Sequence, residues 1–427
     1  AIAGPVASII NTAIAQCRWP SKWKKGQVTP LFKKDEHTDK RNYRPVTVLP
    51  CLNNIFERIL SLQLQDFYNR LLSQFTSAYR RHHSCETSLL RITEDWQANR
   101  DNKKVVAVVS MNLSKAFDTI PHGLLLAKLR AYGLSDSACE LFRDYLSGRL
   151  QRVKVGDTYS EWQSVKRGVP QGSVLGPMFF NIFTNDLFYH ITQVKLNGYA
   201  DDQQLYDSDA DPEVLDSRIS HEVSVANACY HDNGMIVNPE KHHAMVIGNT
   251  EHSFSFPLKP SIELLGITVD NKLAFDEHVA HVCKKINNQI NVIIRNRKLI
   301  GSDVMLKLYK AFILPHFQYC SSVWHFCSSR NTDKLESLNK RVLRAIFNDW
   351  NSNYNELLNK SGTISLFNQR ICNMLTSVFK CLHYNSYPLY MKDMFNVRTS
   401  KYSLRGTNVL KLGTSKTTKY GLNSFKY

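Results

Sequence analysis

The first part of the chain alternates short apolar runs with helical stripes of apolar residues. Segments 28–32 and 45–49 are short and apolar and predict two strands, and segment 52–64 has the spacing of a helix. The apolar positions of that helix are Ile55, Ile59 and Leu62. The unbroken β-branched run at 105–109 predicts a strand that is buried on both faces.

A second group of elements follows this buried strand. Leu125, Leu129 and Tyr132 share one face of a predicted helix that starts after Pro121 and stops at Gly133. Segments 152–155 and 162–165 predict a hairpin. The Gly- and Pro-rich segment KRGVPQGSVLGP then leads into an apolar helix at 178–187.

The segment KLNGYADDQQLY predicts a strand, a tight turn and a second strand, with Asp201 and Asp202 at the turn. We expect a helix at 212–230, which Asn233-Gly234 would end, and strands near 244–247 and 262–269. From Phe275 onward the apolar spacing is helical. The fold class is therefore α+β, with a mixed block of about 270 residues followed by a helical block.

Charge adds a functional hint. The chain has 54 Lys+Arg against 37 Asp+Glu, a net charge of +17, and a pI near 9.3, which favours nucleic acid ahead of membrane as the anionic partner. No apolar run approaches the roughly 18–20 residues that span a membrane. The ten cysteines are scattered without zinc-ligand spacing, which is typical of free thiols in a reducing compartment.

The paired acids Asp201 and Asp202 are the first candidate for chemistry. Two carboxylates that converge repel each other unless a hard cation lies between them, and Mg²⁺ prefers such oxygen ligands. A two-metal phosphoryl-transfer site needs a further carboxylate, and the end of the strand at 105–109 is the place to look for it. Two acids in a turn are also common without any such role.

The segments NLSKAFDTIPH, GVPQGSVLGP and YADD occur in this order, and together they resemble the successive palm motifs of a reverse transcriptase. The amino-acid sequences of these motifs are similar to those of the non-LTR (LINE-type) retrotransposon branch. KKGQVTPLFKK and NYRPVTVLP resemble its fingers motifs, NPEKHHAMVIG and IELLGITVD its later palm motifs, and LKLYKAFILPHFQYCSSVW its thumb. The resemblance covers at least residues 19–324.

The resemblance implies a right-hand polymerase with fingers, an antiparallel-sheet palm, a helical thumb and a helical C-terminal region. The implied boundaries are 1–103 for the fingers and N-terminal part, 104–270 for the palm with a fingers insertion around 121–168, 271–350 for the thumb, and 351–427 for a C-terminal helical and basic tail. The implied activity is RNA-directed DNA polymerisation, in which dNTPs are added to a primer 3′-OH on an RNA template by two-metal catalysis.

Site residues follow from the same resemblance. Asp201 and Asp202 would bind two Mg²⁺ ions, and Lys241 would protonate the leaving pyrophosphate. Tyr199 would pack near the primer end. The residues implied to bind the incoming nucleotide are Arg44 and Lys34 at the triphosphate, Gln171 and Gly172 at the nucleotide and template, and Phe117, whose ring would exclude a ribose 2′-OH. For Phe117 plain core packing is an alternative, and Lys241 could equally be a solvated loop residue.

One position departs from the family pattern. The family has Asp where this chain has Asn112, at the third metal-binding position. The neutral amide binds Mg²⁺ poorly and points a donor at the cation. Asp118 is not expected to substitute, because six residues of extended strand cover about 20 Å. We therefore expect a chain that folds and binds nucleic acid but has severely impaired polymerase activity.

Nucleic-acid contacts are expected from four basic residues. Arg80 and Arg81 lie in QFTSAYRRHHSC, where the family has QFGFR, and Tyr79 with Arg80 would replace its template-guiding pair. Lys284 and Lys285 lie on a later helical pattern.

Two other functions stay open. Asn112 favours a catalytically inactive nucleic-acid-binding relic, and an RNA-dependent RNA polymerase would share the palm but needs a small or polar residue in place of Phe117. The resemblance implies nuclear or cytoplasmic residence, with no membrane partner. The oligomeric state stays unknown. Nothing resembles an endonuclease or RNase H segment, and we expect a protein truncated at both ends.

Overall fold

The computed structural model describes residues 2–33, 36–114, 116–237, 242–296, 299–384, 387–397, 410–411 and 413–427. The chain packs into two units. The first comprises Ala1–Arg80, Met111–Gln203 and His221–His242, and the second comprises Arg81–Ser110, Gln204–Ser220 and His243–Tyr427. Among the residues described, no helix is long and apolar enough to cross a membrane.

The helices are α1 (Ala3–Ala15), α2 (Cys51–Leu71), α3 (Cys85–Asp101), α4 (Ala116–Thr119), α5 (His122–Ala131), α6 (Asp136–Leu146), α7 (Gly176–Thr184), α8 (Leu187–His190), α9 (Pro212–Asp232), α10 (Asp276–Asn296), α11 (Ser302–Leu308), α12 (Leu314–Gln318), α13 (Ser329–Phe347), α14 (Tyr354–Ser361), α15 (Leu366–His383) and α16 (Leu389–Lys392). The strands are β1 (Lys25–Phe32), β2 (Tyr43–Val48), β3 (Val105–Ser114), β4 (Leu150–Val155), β5 (Thr158–Tyr159), β6 (Gln163–Ser164), β7 (Lys195–Tyr199), β8 (Asp202–Asp209), β9 (Ile236–Val237), β10 (His243–Ile247), β11 (Ser261–Leu264), β12 (Ile267–Asp270), β13 (Asn396–Val397) and β14 (Leu410–Lys411). The α+β fold class and most of the predicted elements are thereby confirmed.

A first sheet belongs wholly to the first unit and has the strand order β2-β1-β4-β5, with β6 paired to β4. The β1–β2 pair is antiparallel and places Leu31 opposite Arg44. Strand β4 runs parallel to β1 and pairs with both β5 and β6. The predicted hairpin between 152–155 and 162–165 has different pairings in the structure. Lys154 and Val155 pair with Tyr159 and Thr158 of β5, because the chain turns back directly after β4. Strand β6 pairs with the start of β4, at Leu150 and Gln151.

The second sheet has the strand order β10-β3-β8-β7, and β9 pairs with the end of β3. The run 105–109 at the start of β3 is buried, as its β-branched composition predicts. Strand β3 continues further than the apolar run, because Leu113 and Ser114 still pair with Val237 and Ile236 of β9. This extension keeps Asn112 inside the sheet.

Three further sequence interpretations need correction. The apolar helix expected at 178–187 is interrupted, because α7 ends at Thr184 and α8 begins at Leu187. The expected strand at 262–269 is a hairpin of β11 and β12, because Leu265 and Gly266 between them both have positive φ and reverse the chain. Helix α2 exists but buries a different face from the expected one. Ile55 and Leu62 are 47% and 61% exposed. The residues that α2 buries are Asn53, Phe56, Glu57, Leu60 and Tyr68.

The helical part of the second unit follows the sequence pattern closely. Helix α10 buries Val279, Val282, Ile286, Ile290 and Ile293 along one stripe. Helix α13 buries Leu335, Leu338, Val342 and Ile346 in the same way. These two helices pack against each other, because each presents an apolar face at helical spacing.

Candidate active site

The acidic turn lies between β7 and β8 of the second sheet. Asp201 occupies the turn and Asp202 is the first residue of β8. Ala200 before them has a left-handed backbone with φ of 54°. The backbone of Gly198 is fixed from one side, since its N–H donates to Phe75 (3.1 Å) and its carbonyl accepts from Ser77 (2.9 Å). Both acids are half-buried on a hairpin that the neighbouring loop holds in place.

Asn112 lies in β3, and β3 is the hydrogen-bonded neighbour of β8 in the sheet. Its side chain is half-buried, like those of Asp201 and Asp202. Within the described ranges, Asp201 has no lysine or arginine partner. These three residues offer carboxylate and amide oxygens, which fit a hard cation such as Mg²⁺, although one of the three is neutral.

Tyr79 lies beside this acidic turn. Burial raises the pKa of its hydroxyl, and the charge of Asp201 raises it further. The Tyr79 backbone is left-handed with φ of 60°, and the residue as a whole is 57% exposed. The phenol therefore stays protonated at neutral pH next to the Asp201 carboxylate.

Phe117 lies on the single turn α4, directly after β3. Its ring stacks on Phe180 with the centroids 4.6 Å apart, and the Tyr79 ring meets it edge-on at 6.2 Å. The residue is only half-buried. One ring face is therefore packed against the core, while part of the ring stays accessible.

The loop at 168–176 is fixed against α4 at its start. Gly168 donates its N–H to Ile120 (2.8 Å), and Val169 donates to Phe117 (2.9 Å). Gly168 has φ of 79°, and a Cβ there would lie 2.6 Å from the Cα of Asp118. Only glycine meets both requirements, so this position ties the loop closely to α4.

The same loop is also held by β2. The N–H of Thr47 donates to the carbonyl of Gln171 (2.7 Å). Gly172 has φ of 129°, and a Cβ on it would collide with the carbonyl oxygen of Thr47. The loop therefore passes so close to β2 and α4 that only glycine fits at positions 168 and 172.

The Gln171 side chain is oriented by Asp118, which the sequence interpretation considered only as a replacement for Asn112 and rejected in that role. Its Nε2 donates to Oδ1 and Oδ2 of Asp118, at 3.0 and 3.1 Å. Because the amide nitrogen faces Asp118, the amide oxygen of Gln171 remains available to a donor elsewhere. Asp118 therefore has a defined role in the site, although it does not replace Asn112 in the sheet.

The other predicted nucleotide contacts are placed as follows. Arg44 is exposed on β2 and has no ion pair with the part of the chain that the structure describes. Tyr199 is half-buried at the end of β7, next to the acidic turn. Lys34 and Lys241 lie outside the described residues.

The family model for reverse transcriptase (RNA-dependent DNA polymerase) matches residues 31–269 of this chain, which is more than half of it. The chain belongs to the reverse transcriptase family. The motif resemblance and the fold class predicted from it are confirmed, and the matched region contains the acidic turn, Asn112 and the glycine-containing loop.

Similar proteins include reverse transcriptases of non-LTR elements. The chain is 26% identical over 374 residues to the probable RNA-directed DNA polymerase from transposon BS of Drosophila melanogaster, covering 80% of this chain and 40% of that protein. It is 23% identical over 367 residues to the RNA-directed DNA polymerase from mobile element jockey of the same species, covering 80% and 39%. The chain thus spans about two-fifths of the length of these relatives.

Solved structures similar to this chain include telomerases. Apo telomerase from Candida tropicalis matches with a TM-score of 0.47 and 12% identity, covering 92% of this chain and 74% of that one. Telomerase from Candida albicans in complex with a fragment of telomeric RNA matches with a TM-score of 0.46 and 15% identity, covering 84% and 70%.

The four basic residues that were expected to contact nucleic acid lie in different structural settings in this chain. The Arg80 guanidinium donates to the carbonyls of Ser73 (2.8 Å) and Thr76 (3.0 Å), so it braces its own loop. Arg81 is exposed in the second unit. Lys284 and Lys285 are exposed on α10, also in the second unit. Their contact with nucleic acid stays a prediction.

The sequence interpretation missed Glu57, and it missed the role of Asp118 in orienting Gln171. Glu57 lies on α2 and is completely buried. A detectable signal was present, because Asn53 and Glu57 are polar residues four apart and share the helix face that also carries Phe56 and Leu60. The helical spacing of the apolar residues Ile55 and Ile59 instead predicted that a different face of α2 is buried, and this prediction was wrong.

Proposed function

We propose that this chain is the polymerase core of a non-LTR retrotransposon reverse transcriptase, which extends a DNA primer with dNTPs on an RNA template. The observation that supports this most directly is the neighbouring placement of β3, with Asn112, and β8, which starts at Asp202. The order of motifs along the chain and the family match support the same activity.

In this proposal the oxygens of Asp201 and Asp202, with weaker help from Asn112, would hold two Mg²⁺ ions. When bound, these ions neutralise the phosphate charge that builds up during in-line attack of the primer 3′-OH. Asp201 and Asp202 would supply the negative charge for this on the β7–β8 hairpin. Asn112 contributes no charge, so the proposed site is one carboxylate short.

The incoming nucleotide is proposed to lie against Phe117 and the loop at 168–176. The half-buried ring of Phe117 is held by Phe180 and would exclude a ribose 2′-hydroxyl, which favours dNTPs over rNTPs. Gln171, oriented by Asp118, would offer its amide oxygen as an acceptor. Arg44, with Lys34, would bind the triphosphate, because a guanidinium matches phosphate geometry and charge.

Two further roles complete the proposed reaction. Tyr199 is proposed to pack near the primer end, since it lies at the end of β7 beside the acidic turn. Lys241 is proposed to give a proton to the leaving pyrophosphate. Arg80, Arg81, Lys284 and Lys285 are proposed to contact phosphates of the template and primer.

Restoring the missing carboxylate tests this function. Primer extension on an RNA template with Mg²⁺ or Mn²⁺ would compare the native chain with Asn112→Asp. We expect Asn112→Asp to be faster by about 100-fold or more, since the variant restores charge at a preorganised electrostatic site. The matched control is Asn359→Asp, which makes the same change on the exposed face of α14 and should leave the rate unchanged.

The outcome separates the candidate functions. A native chain that already extends primer as fast as Asn112→Asp would refute the charge argument. If neither chain extends primer while both bind the RNA, the metal-site assignment is wrong. The second candidate, a nucleic-acid-binding relic, is favoured by Asn112 itself, and it predicts RNA binding by the native chain with negligible extension.

A further inference from the structure

A buried carboxylate on α2 lies directly behind the loop that carries Gln171 and Gly172. Oε2 of Glu57 accepts hydrogen bonds from the Ser173 hydroxyl (2.6 Å), the Val174 N–H (2.6 Å) and the Leu175 N–H (3.0 Å). These three donors follow Gly172 without interruption and precede the start of α7 at Gly176. Oε2 of Glu57 therefore holds the end of the loop, together with the Ser173 hydroxyl, which accepts from the N–H groups of Leu175 (3.1 Å) and Gly176 (3.0 Å).

The other oxygen of Glu57 connects this point to two further elements. Oε1 accepts from the Asn53 amide (2.6 Å), one turn earlier on α2, and from the Tyr145 hydroxyl (3.1 Å) on α6. Burial raises the pKa of Tyr145 well above its usual range, and the charge of Glu57 adds to this rise, so the hydroxyl stays a donor. The five groups that contact the Glu57 oxygens are one amide, two hydroxyls and two backbone N–H groups, and each can donate to a carboxyl oxygen.

Asn53 connects the hydrogen bonds around Glu57 to Trp19. The Asn53 side-chain oxygen accepts from the Trp19 indole N–H (2.9 Å), and the Trp19 ring stacks on Phe56 at 4.1 Å. Asn53 and Glu57 are completely buried, and Ser173 is 5% exposed. A buried donor that loses its acceptor is left unpaired at a cost in free energy, so the hydrogen-bonding groups around Glu57 have few alternative arrangements.

We propose that Glu57 is a positioning residue for the incoming nucleotide: its carboxylate holds the 173–175 backbone and thereby sets where Gln171 and Gly172 lie. The proposal rests on the proposed polymerase function for its consequence in catalysis. Its structural part, the hold on the loop, is independent of that function. Contact between Glu57 and substrate is not part of it, since Glu57 has no exposed surface.

Glu57→Gln is the sharpest variant, because it keeps the shape but can place an NH₂ donor against the three donors of the loop. Ser173→Ala leaves Glu57 in place and removes the Ser173 hydroxyl, which donates to Glu57 and accepts from the N–H groups of Leu175 and Gly176. It provides a second probe should Glu57→Gln fold poorly. The matched control is Asp66→Asn, since Asp66 is an exposed acid on the same helix.

The first measurement is hydrogen–deuterium exchange in the native chain, which needs no activity. Peptides spanning 168–178 should exchange at least about tenfold faster in Glu57→Gln, and less so in Ser173→Ala, with Asp66→Asn unchanged. Equal exchange in Glu57→Gln and the parent would overturn the proposal.

The second measurement is steady-state primer extension in the Asn112→Asp background. Displacement of the loop should raise KM for dNTP by about 10- to 100-fold, and Glu57→Asp should recover part of the loss. A purely structural role would lower the active fraction and hence kcat, with KM for dNTP unchanged, and this result would overturn the proposal. Amide exchange of the loop could be faster in Glu57→Gln although the Asn112→Asp chain never extends primer. This result would support the contact between Glu57 and the loop and would reject the polymerase function instead.

Discussion

Gly168 offers the most direct test of how the loop is placed against α4. In Gly168→Ala the new Cβ would lie 2.6 Å from the Cα and 2.7 Å from the carbonyl carbon of Asp118. Carbon atoms pack without strain at about 3.5–4.0 Å, so the loop and α4 must separate by about 1 Å. The residues that move are Phe117 and Asp118 on one side and Gln171 on the other.

The expected loss follows from this displacement. A shift of about 1 Å at positioning groups lowers a rate by about 100-fold. The left-handed backbone at Gly168 adds about 1–2 kcal/mol of strain for any residue with a Cβ. The free energy of unfolding should therefore fall by more than this strain alone, because the collision comes on top of it.

Gly133→Ala is the matched control. Gly133 has φ of 92°, close to the 79° of Gly168, but a Cβ there meets no atom within 4 Å. The control should lose only the strain energy and keep its activity. Urea unfolding and primer extension in the Asn112→Asp background would measure both effects. If Gly168→Ala unfolds and extends primer like Gly133→Ala, the close approach to Asp118 has no functional consequence and the reasoning fails.

Two further predictions concern the sugar contact and acid stability. Phe117→Val should lower the preference for dNTPs over rNTPs by about 10- to 100-fold in the Asn112→Asp background, measured as the ratio of kcat/KM values; an unchanged ratio would assign Phe117 to core packing alone. Burial lowers the pKa of His278 and of His325 to about 4. In the folded protein both histidines are therefore neutral above about pH 4, whereas in the unfolded chain they take up protons below about pH 6.5. Stability should therefore fall between pH 6.5 and 4, by up to about 3 kcal/mol for each histidine. His278→Gln should flatten the pH dependence of urea unfolding, and exposed His231→Gln should not; identical pH profiles for the two variants would contradict the assignment.

The sequence by itself determined the local elements and their order. The β-branched run of β3, the turn at Asp201 and Asp202, and the stripes of α10 and α13 follow from short-range periodicity, since burial of one face leaves a repeat in the chain. The motif order was enough to predict the family. The departure at Asn112 was also visible from the sequence alone.

Only the tertiary structure decided which distant residues meet. Gln171 pairs with Asp118 across 53 positions, and Glu57 binds Ser173 across 116. Such pairs leave no periodic trace, because their partners are set by how helices and strands pack rather than by neighbours in the chain. The buried face of α2 was misassigned for the same reason. Polar Asn53 and Glu57 are stable inside the protein only because donors from other elements reach them there.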